Sequence, residues 1–364
     1  MTRIRMPRGE FATAGVIIAI LAAGSVWAQF GPADLVGQGV LVLLAAIGAY
    51  GLNLITGYAG QASMGNAGFM AIGGMTAWYL GSTIGNFLVA VLAGVLAGFV
   101  CGGIVGAIAL RWRGFYLVLA TLAVQSIVVF GIEQLQLGEN SQYLSGFPFA
   151  PPSMFGTVLL DDGTWFVVVA VVVAIVVLLI AGLVRGPLGR AWMAVRENEA
   201  AASVAGVDVV RVKVLAFAVG SGIISLGGAL SGFHAGAISY ESYPLTVAVS
   251  YVAMIIVGGL GSMAGPFLGA CAITLIPYGV AALAATDAGN WIVALNGAGG
   301  LPYVQIIAYS IVVLLFLAFE PRGLAALGPR LARLVRRDTG DTPPEPADAA
   351  QPAAAGRPVE EPVR

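Results

Sequence analysis

Side chains that could do chemistry are few in this chain, and their spacing excludes several classes of activity. There is one histidine, His234, and there are two cysteines, Cys101 and Cys271, both inside apolar runs. A metal site needs several ligands at close spacing, so none is predicted, and the cysteines are expected to be buried thiols rather than a disulfide. The single lysine, Lys213, follows Val212, whereas a phosphate-binding loop requires a Lys after Gly. The sequence therefore predicts neither a nucleotide loop nor a hydrolytic centre in this chain.

Ionisable groups are almost absent from the long apolar segments. Carriers driven by protons or sodium usually accept the cost of an intramembrane carboxylate because it carries the coupling ion. Only Glu133 comes close here, and it lies near the end of its segment, where an interfacial charge is a simpler interpretation than a proton relay. The pattern favours a pore whose conformational change is driven by another subunit, or a passive channel.

Two polar, glycine-rich interruptions divide otherwise apolar segments, at 57–68 and 258–266. Non-helical backbone at membrane depth is tolerated only where it lines a cavity or is covered by protein, so interrupted helices in the two halves of a chain point to a solute pathway. Simple turns between short spans would give the same pattern, and both interpretations stay open. The candidate pathway residues are Gln61, Ser63, Asn66, Gly258, Gly259 and Gly261, with Ser262 as a further neutral polar contact.

The loop 185–212 is the one substantial charged loop between apolar segments. Gly186 and Pro187 break the chain, 190–204 is predicted as a short helix, and Gly206 ends it. The helix has an apolar face and a polar face, which suits docking into a groove on a partner as well as lying solvated at the membrane surface. The apolar face consists of Trp192, Val195 and Ala202, and the polar face of Arg190, Arg196, Glu197 and Glu199.

The elements that must position these groups are membrane spans. The chain is 59% hydrophobic and 10% charged, against about 25% charge in a typical soluble domain. About 20 apolar residues cross the ~30 Å of hydrocarbon in a bilayer. We therefore predict an all-α polytopic membrane protein of about ten transmembrane helices (eight to ten). The segments are about 11–30, 36–55, 66–84, 86–110, 114–134, 163–184, 213–235, 245–261, 264–284 and 302–319.

The charge distribution gives the orientation. All 17 basic residues fall in alternate loops, at 3–8, 111–113, 185–213 and from 322 onward. Basic loops stay cytoplasmic during insertion, so both termini are predicted to be cytoplasmic. Nucleic-acid binding is not supported, because the basic residues are scattered over short loops. The opposite loops hold only acidic charges, namely Asp34, Glu139, Asp161, Asp162, Glu241 and Asp287.

The two ends of the chain need separate interpretation. The apolar run 11–30 after three arginines could be a signal peptide, with 26–28 a tolerable cleavage site, but its length favours an uncleaved first span. Residues 338–364 are rich in Pro, Ala, Asp and Glu and cannot bury enough apolar surface to offset ordering. The predicted organisation is a transmembrane domain over 1–337, which contains the charged loop 185–212, and a disordered cytoplasmic tail over 338–364.

Four blocks of the sequence resemble a known family. The stretch 52–76, LNLITGYAGQASMGNAGFMAIGGMT, resembles the signature of branched-chain amino acid ABC transporter permeases. GRAWMAVRENE at 189–199, continuing to 217, is similar to the cytoplasmic loop of the LivM type. VGGLGSMAGPFLGA at 257–270 and FEPRGL at 319–324 resemble two further blocks. The resemblance covers about 35–325 and leaves the tail outside.

The resemblance implies an ABC importer permease fold in the bacterial inner membrane, within a larger complex. Such a permease pairs with a second, related permease and lies in membrane lipid. Two cytoplasmic ATPase subunits bind ATP and Mg, so this chain needs no cofactor, and a periplasmic binding protein delivers the solute. The loop helix would be the coupling helix, with Arg190, Trp192, Arg196, Glu199 and Gly206 as candidates for contact with the ATPase.

One departure affects the coupling loop. ABC importers generally carry Glu-Ala-Ala, three residues and then Gly. Aligned on Gly206, the Glu position is Ala200, and Glu199 lies one place early. The small residues and the glycine fit the pattern, but the role of the glutamate does not transfer directly.

The expected function is the membrane-spanning, non-catalytic permease subunit of an ATP-driven importer for branched-chain or related amino acids. Urea or short amides are alternative solutes within that class, and no residue separates them. A passive channel fits the uncharged interior. An intramembrane enzyme is disfavoured because paired catalytic groups are lacking.

Overall fold

A computed structural model gives the fold of the chain and describes residues 10–109, 115–138, 142–154, 157–159, 161–284, 307, 310–311, 314 and 323–326. Its helices are α1 (Glu10–Trp27), α2 (Ala33–Leu52), α3 (Asn66–Ile84), α4 (Phe87–Ala109), α5 (Phe115–Leu137), α6 (Asp162–Arg185), α7 (Pro187–Glu197), α8 (Glu199–Val204), α9 (Val209–Ala235), α10 (Leu245–Gly258) and α11 (Gly265–Ala284). A π-helix (Asn53–Tyr58) extends α2, and short 3-10 turns occupy Tyr240–Ser242 and Leu324–Ala326.

Nine of the predicted spans are confirmed as helices, with boundaries shifted by a few residues. Local chemistry explains several ends: Asp161 caps α6 by accepting from the Thr164 amide at 3.3 Å, and Gly85 ends α3 in the left-handed region at φ 69°. The tenth predicted span, 302–319, and the tail, 338–364, lie outside the described residues apart from isolated helical positions in the former.

Within the described part of the chain, seven helices are long and apolar enough to cross a membrane. These are α2, α4, α5, α6, α9, α10 and α11. The apolar part of α1, 12–27, is shorter, and α3 is not among the seven. The outer surfaces of α4 and α6 expose large aliphatic residues such as Leu96 (63%) and Ile175 (59%), as helices facing lipid do.

Helix α9 lies at the centre of the bundle and packs against α2, α3 and α4. Small residues allow this close approach. A side chain at Gly98 or Gly102 of α4 would collide with Ser225 or Ser221 of α9, and one at Gly228 of α9 would collide with the Met70 carbonyl of α3. By contrast, a Cβ added to Gly103 would lie 3.7 Å from the Ala218 methyl group, which is an ordinary van der Waals distance. The helices therefore associate through backbone contact on one face of α4.

The described connections gather at two opposite ends of the bundle, and the described basic residues share one of these ends. At one end, the start of α2 contacts Asp162 at the start of α6, and Phe87 at the start of α4 contacts Trp165. Strand β1 (Phe147–Pro148) pairs there with β4 (Ala237–Ile238), next to the small hairpin β2 (Ser153–Met154) and β3 (Thr157–Val158). The other end, here called the loop end, holds 53–65, α7, α8 and 259–264. Arg185, Arg190, Arg196, Arg211 and Lys213 all belong to it.

Candidate coupling and pathway site

The predicted single helix over 190–204 is wrong in one respect, because the structure has two helices there. Pro187 occupies the first turn of α7, where its missing N–H costs nothing. Asn198 then adopts an extended conformation (φ −158°, ψ 109°), and its side chain accepts a hydrogen bond from the Ala201 amide at 3.0 Å. Asn198 thus ends α7 and caps α8, and the chain changes direction at this residue.

The apolar face of this loop points into the protein. Trp192 is fully buried (0% exposed), and its Nε1 donates to the Val212 carbonyl at 2.8 Å. Val195 and Ala202 are buried as well. The sequence left this apolar face open either to a groove on a partner or to the membrane surface, and the structure instead packs the three residues against their own chain. Their burial attaches α7 and α8 to the bundle, since removing apolar side chains from water is favourable.

A different set of side chains faces outward. Val204 is 90% exposed at the end of α8, and small residues accompany it. Gly206 follows at φ 84°, and a Cβ placed on it would meet no described atom within 4 Å, so it is an open surface turn. Arg190 is exposed and donates to the Arg185 carbonyl at 3.0 Å. The exposed neighbours of Val204 are Ala200, Ala201, Ser203 and Ala205.

Arg196 connects the charged loop to both interruptions. Its guanidinium Nη1 donates to the Gly57 carbonyl in the π-helix. A Cβ placed on Gly261 would lie 2.7 Å from the same Nη1 atom. A Cβ placed on Gly60 would lie 2.7 Å from the Cγ atom of Arg196. The last turn of α7 therefore touches the first and second interruptions through one side chain.

The two interruptions also bind each other directly. Asn53 donates through Nδ2 to the Ser262 carbonyl at 3.0 Å and accepts from the Gly261 amide at 2.9 Å. The Tyr50 hydroxyl donates to the Met263 carbonyl at 3.0 Å. These contacts satisfy backbone groups that the broken helices leave unpaired, as burial requires. Asn53 and Tyr50 are functional candidates that sequence reasoning missed, although Asn53 lies inside the family block 52–76 and Tyr50 lies two residues before it.

The π-helix explains how the first interruption forms. The Ala59 amide bonds to the Leu54 carbonyl at 3.1 Å and the Gln61 amide to the Ile55 carbonyl at 3.0 Å, so the chain unwinds over its last turns. Single-turn π segments are frequent at functional sites because they shift the hydrogen-bond register. Here the shift leaves the Gly57 carbonyl able to accept from Arg196.

Glu199 and Gln61 meet at the start of α9. Glu199 forms an ion pair with Lys213, whose side chain is only 14% exposed. Gln61 is buried, and its Nε2 donates to the Lys213 carbonyl at 3.3 Å. The structure thus brings one predicted coupling residue and one predicted pathway residue to a single lysine.

The remaining pathway candidates are buried where α3 begins. Ser63 accepts from the Gly65 amide at 3.4 Å, and Asn66 is 0% exposed with Nδ2 directed at the Met70 sulfur, 3.7 Å away. The Asn66 Oδ1 is buried with no hydrogen-bond partner among the described residues. Thr121 of α5 covers the same region, accepting from the Met64 amide at 3.0 Å.

The glycines of the second interruption are required by geometry. Gly259 (φ 116°) and Gly261 (φ 70°) lie in the left-handed region that side chains disfavour. Gly258 packs against the Gly265 carbonyl. Gly323 belongs to the block at 319–324. A Cβ placed on it would lie only 2.5 Å from the Gly259 Cα, so the two backbones are in close contact. The last two family blocks therefore pack together at the loop end.

A family model described as "Branched-chain amino acid transport system / permease component" matches residues 33–318. The chain belongs to this permease family. The match includes α2 to α11 and every candidate residue named above, whereas Gly323 lies just beyond it. As a member of a transport permease family with seven candidate spans, the permease is a multi-pass membrane protein.

Two curated relatives share one name, high-affinity branched-chain amino acid transport system permease protein LivM. The permease is 27% identical over 279 residues to that of Escherichia coli K12 and 26% identical over 279 residues to that of Salmonella typhimurium LT2. Each alignment covers 70% of this chain and 65% of the relative, so the chain matches about two thirds of the length of these relatives. No solved structure matches the chain.

Proposed function

We propose that this chain is the membrane-spanning, non-catalytic permease subunit of an ATP-driven importer for branched-chain or related amino acids in the bacterial inner membrane. The family match supports the transport class. The observation that carries the coupling mechanism is the contact of Arg196 with the Gly57 carbonyl and Gly261, because it joins the charged loop to both helix interruptions. A second related permease, two ATPase subunits that bind ATP and Mg, and a periplasmic binding protein complete the proposed complex.

The proposed mechanism is alternating access driven from the loop end. A neutral pore has no preference for one conformation, so the free energy that separates its two states must come from a partner. Motion of α7 would reach 57–61 directly through Arg196, and motion of α8 would reach α9 through the Glu199–Lys213 ion pair. The two interruptions would move together, because Asn53 links them by two hydrogen bonds.

We expect the ATPase to dock on the exposed surface of α8 around Val204, while Trp192 positions that surface from inside. Changing Val204 to Asp places a charge in the docking interface, and we expect solute uptake to fall about tenfold, the usual scale for a disrupted interface anchor. The measurement is ATP-dependent uptake in vesicles, with ATPase co-purification as the second readout.

Val210→Asp is the matched control for this variant, because Val210 is also exposed (57%) but lies in the first turn of α9 rather than on α8. Wild-type uptake by the Val204 variant, or equal losses in both variants, would contradict docking at this surface.

The test of the proposed function is reconstitution in vesicles. The assembled complex should accumulate radiolabelled L-leucine against a gradient only with ATP and the binding protein, whereas this chain alone should concentrate nothing. Gradient-building uptake by the lone chain would overturn the proposal. ATP-independent equilibration would indicate a passive channel, and ATP-driven uptake of urea but not leucine would indicate the amide alternative.

A further inference from the structure

A mainly apolar cleft with a few polar groups runs along α5, beside the segment where the chain enters α10. It has a volume of about 400 Å³ and is separate from the interruptions at the loop end. Helix α5 contributes residues of one face, spaced three, four and seven apart, and the opposite wall comes from the segment before α10. The lining residues are Leu122, Gln125, Ser126, Val129, Phe130 and Glu133 from α5, with Tyr243, Pro244 and Leu245 opposite.

The deep end of the cleft holds a buried amide with unused hydrogen-bonding capacity. Gln125 is 3% exposed, and its Oε1 is buried without a hydrogen-bond partner among the described residues. Its Cα lies 2.9 Å from where a Cβ on Gly68 would stand, so its helix is fixed against α3. A buried acceptor that no protein group satisfies costs free energy unless a ligand or water bonds it, which makes Gln125 a candidate contact for a solute.

One carboxylate lines the other end of the cleft. Glu133 lies on the wall, four residues from the end of α5, and no described basic side chain forms an ion pair with it. Glu241 is on the opposite segment, where its carboxylate accepts from the Tyr240 hydroxyl at 3.4 Å. That segment is held to α5 by Gln136, which accepts from the Tyr240 amide at 3.1 Å. Glu133 lies in the last turn of its span, as an interfacial charge does, and its carboxylate oxygens can accept hydrogen bonds from a cationic group.

The wall between these two polar positions is aliphatic and aromatic. Val129, Phe130 and Leu245 separate Glu133 from Gln125, which lie eight residues or about 12 Å apart along the helix. That distance exceeds the span of one amino acid, so a single solute would bind one polar position and the apolar wall rather than both ends at once.

We propose that this cleft is a solute site of the permease, at which Glu133 binds the ammonium group of an aliphatic amino acid and Val129, Phe130 and Leu245 contact its side chain. Gln125 is then the next polar contact along the path. The inference rests on the proposed transport function and deepens it: the positive charge of the solute, rather than its carboxylate, is what this cleft recognises. Urea and simple amides, which lack that charge, would not be selected here.

The experiment measures protection of a cysteine in the cleft. In the assembled complex with Cys101→Ala and Cys271→Ala, Val129→Cys introduces a thiol on the wall and Ile127→Cys is the control, since Ile127 is 71% exposed but does not line the cleft. We expect saturating L-leucine to slow modification of the Val129→Cys thiol by a small thiosulfonate reagent about tenfold, with no effect at position 127. Isopentylamine should protect as well, and 4-methylpentanoate should not.

Substitutions at Glu133 complete the test. Glu133→Gln keeps the shape and removes the charge, so protection should be lost, whereas Glu133→Asp keeps the charge and should retain part of it. Protection that survives Glu133→Gln, equal protection by 4-methylpentanoate, or equal protection at 127 and 129 would overturn the proposal. Uptake of L-leucine is measured in the same vesicles. ATP-driven uptake without protection would contradict the solute site but not the proposed importer function. Absence of ATP-driven uptake would contradict both proposals.

Discussion

Replacing Trp192 with alanine should release α7 from the bundle at a cost of about 3–5 kcal/mol, the usual range for emptying a buried tryptophan site. The indole is fully buried and supplies the Nε1–Val212 carbonyl hydrogen bond at 2.8 Å. The lost packing leaves a cavity, and the Val212 carbonyl loses its partner. The readout is the rate of tryptic cleavage after Arg190, which lies in α7 and is reached when the loop opens. Cleavage should accelerate about a hundredfold or more.

Two further variants separate packing from hydrogen bonding at this position. Trp192→Phe keeps an aromatic ring and removes the donor, so it should cost only about 1–2 kcal/mol. Val204→Ala changes a side chain that is 90% exposed and should alter cleavage little. A cleavage rate unchanged by Trp192→Ala would show that Trp192 does not hold the loop and would restore its assignment as an outward anchor.

Replacing Arg196 with alanine should uncouple ATP hydrolysis from uptake. The variant removes the donor to the Gly57 carbonyl and the contact with Gly261, so α7 could move without moving either interruption. A charge-assisted hydrogen bond of this kind is worth about 1.5–3 kcal/mol, so solute moved per ATP should fall about tenfold or more. Uptake and phosphate release are measured together in the same vesicles.

Arg211 provides the control for this effect. Its side chain is 84% exposed and forms an ion pair with Asp208, three residues away. An exposed pair of this kind has a small net value, so Arg211→Ala should leave the stoichiometry near that of the unmodified complex. Arg196→Lys keeps the charge but not the planar guanidinium and should rescue only part of the loss. Normal stoichiometry in Arg196→Ala would show that the bridge does not transmit motion.

The prediction of the membrane-spanning helices succeeded because lipid imposes a strong and local requirement. A run of about 20 apolar residues needs no knowledge of its neighbours to be recognised, and α6 is an example, predicted at 163–184 and observed at Asp162–Arg185. The two interruptions were recognised for a related reason, since each clusters glycines with neutral polar residues or a proline between apolar runs. The first was placed at 57–68, and the π-helix begins slightly earlier, at Asn53.

Residue spacing could not predict whether the apolar face of the coupling loop contacts a partner protein or the bundle of its own chain. An amphipathic helix has the same pattern whether its apolar face meets a partner protein or its own bundle. Trp192 faces inward because Val212, twenty residues later, presents a carbonyl at the position of the indole nitrogen. Val204 was overlooked because a single valine among alanines carries no signal until its 90% exposure is known.

By itself, the sequence determined the class of molecule, the helical segments, the grouping of loops by charge and the two breaks, because each follows from local hydrophobicity or from one residue type. Only the tertiary structure decided what these elements touch. Arg196 meets Gly57 across 139 positions of sequence and Asn53 meets Ser262 across 209. Contacts between residues so far apart depend on how the helices pack, with glycines such as Gly98 setting how closely α4 approaches α9, and no local pattern encodes that geometry.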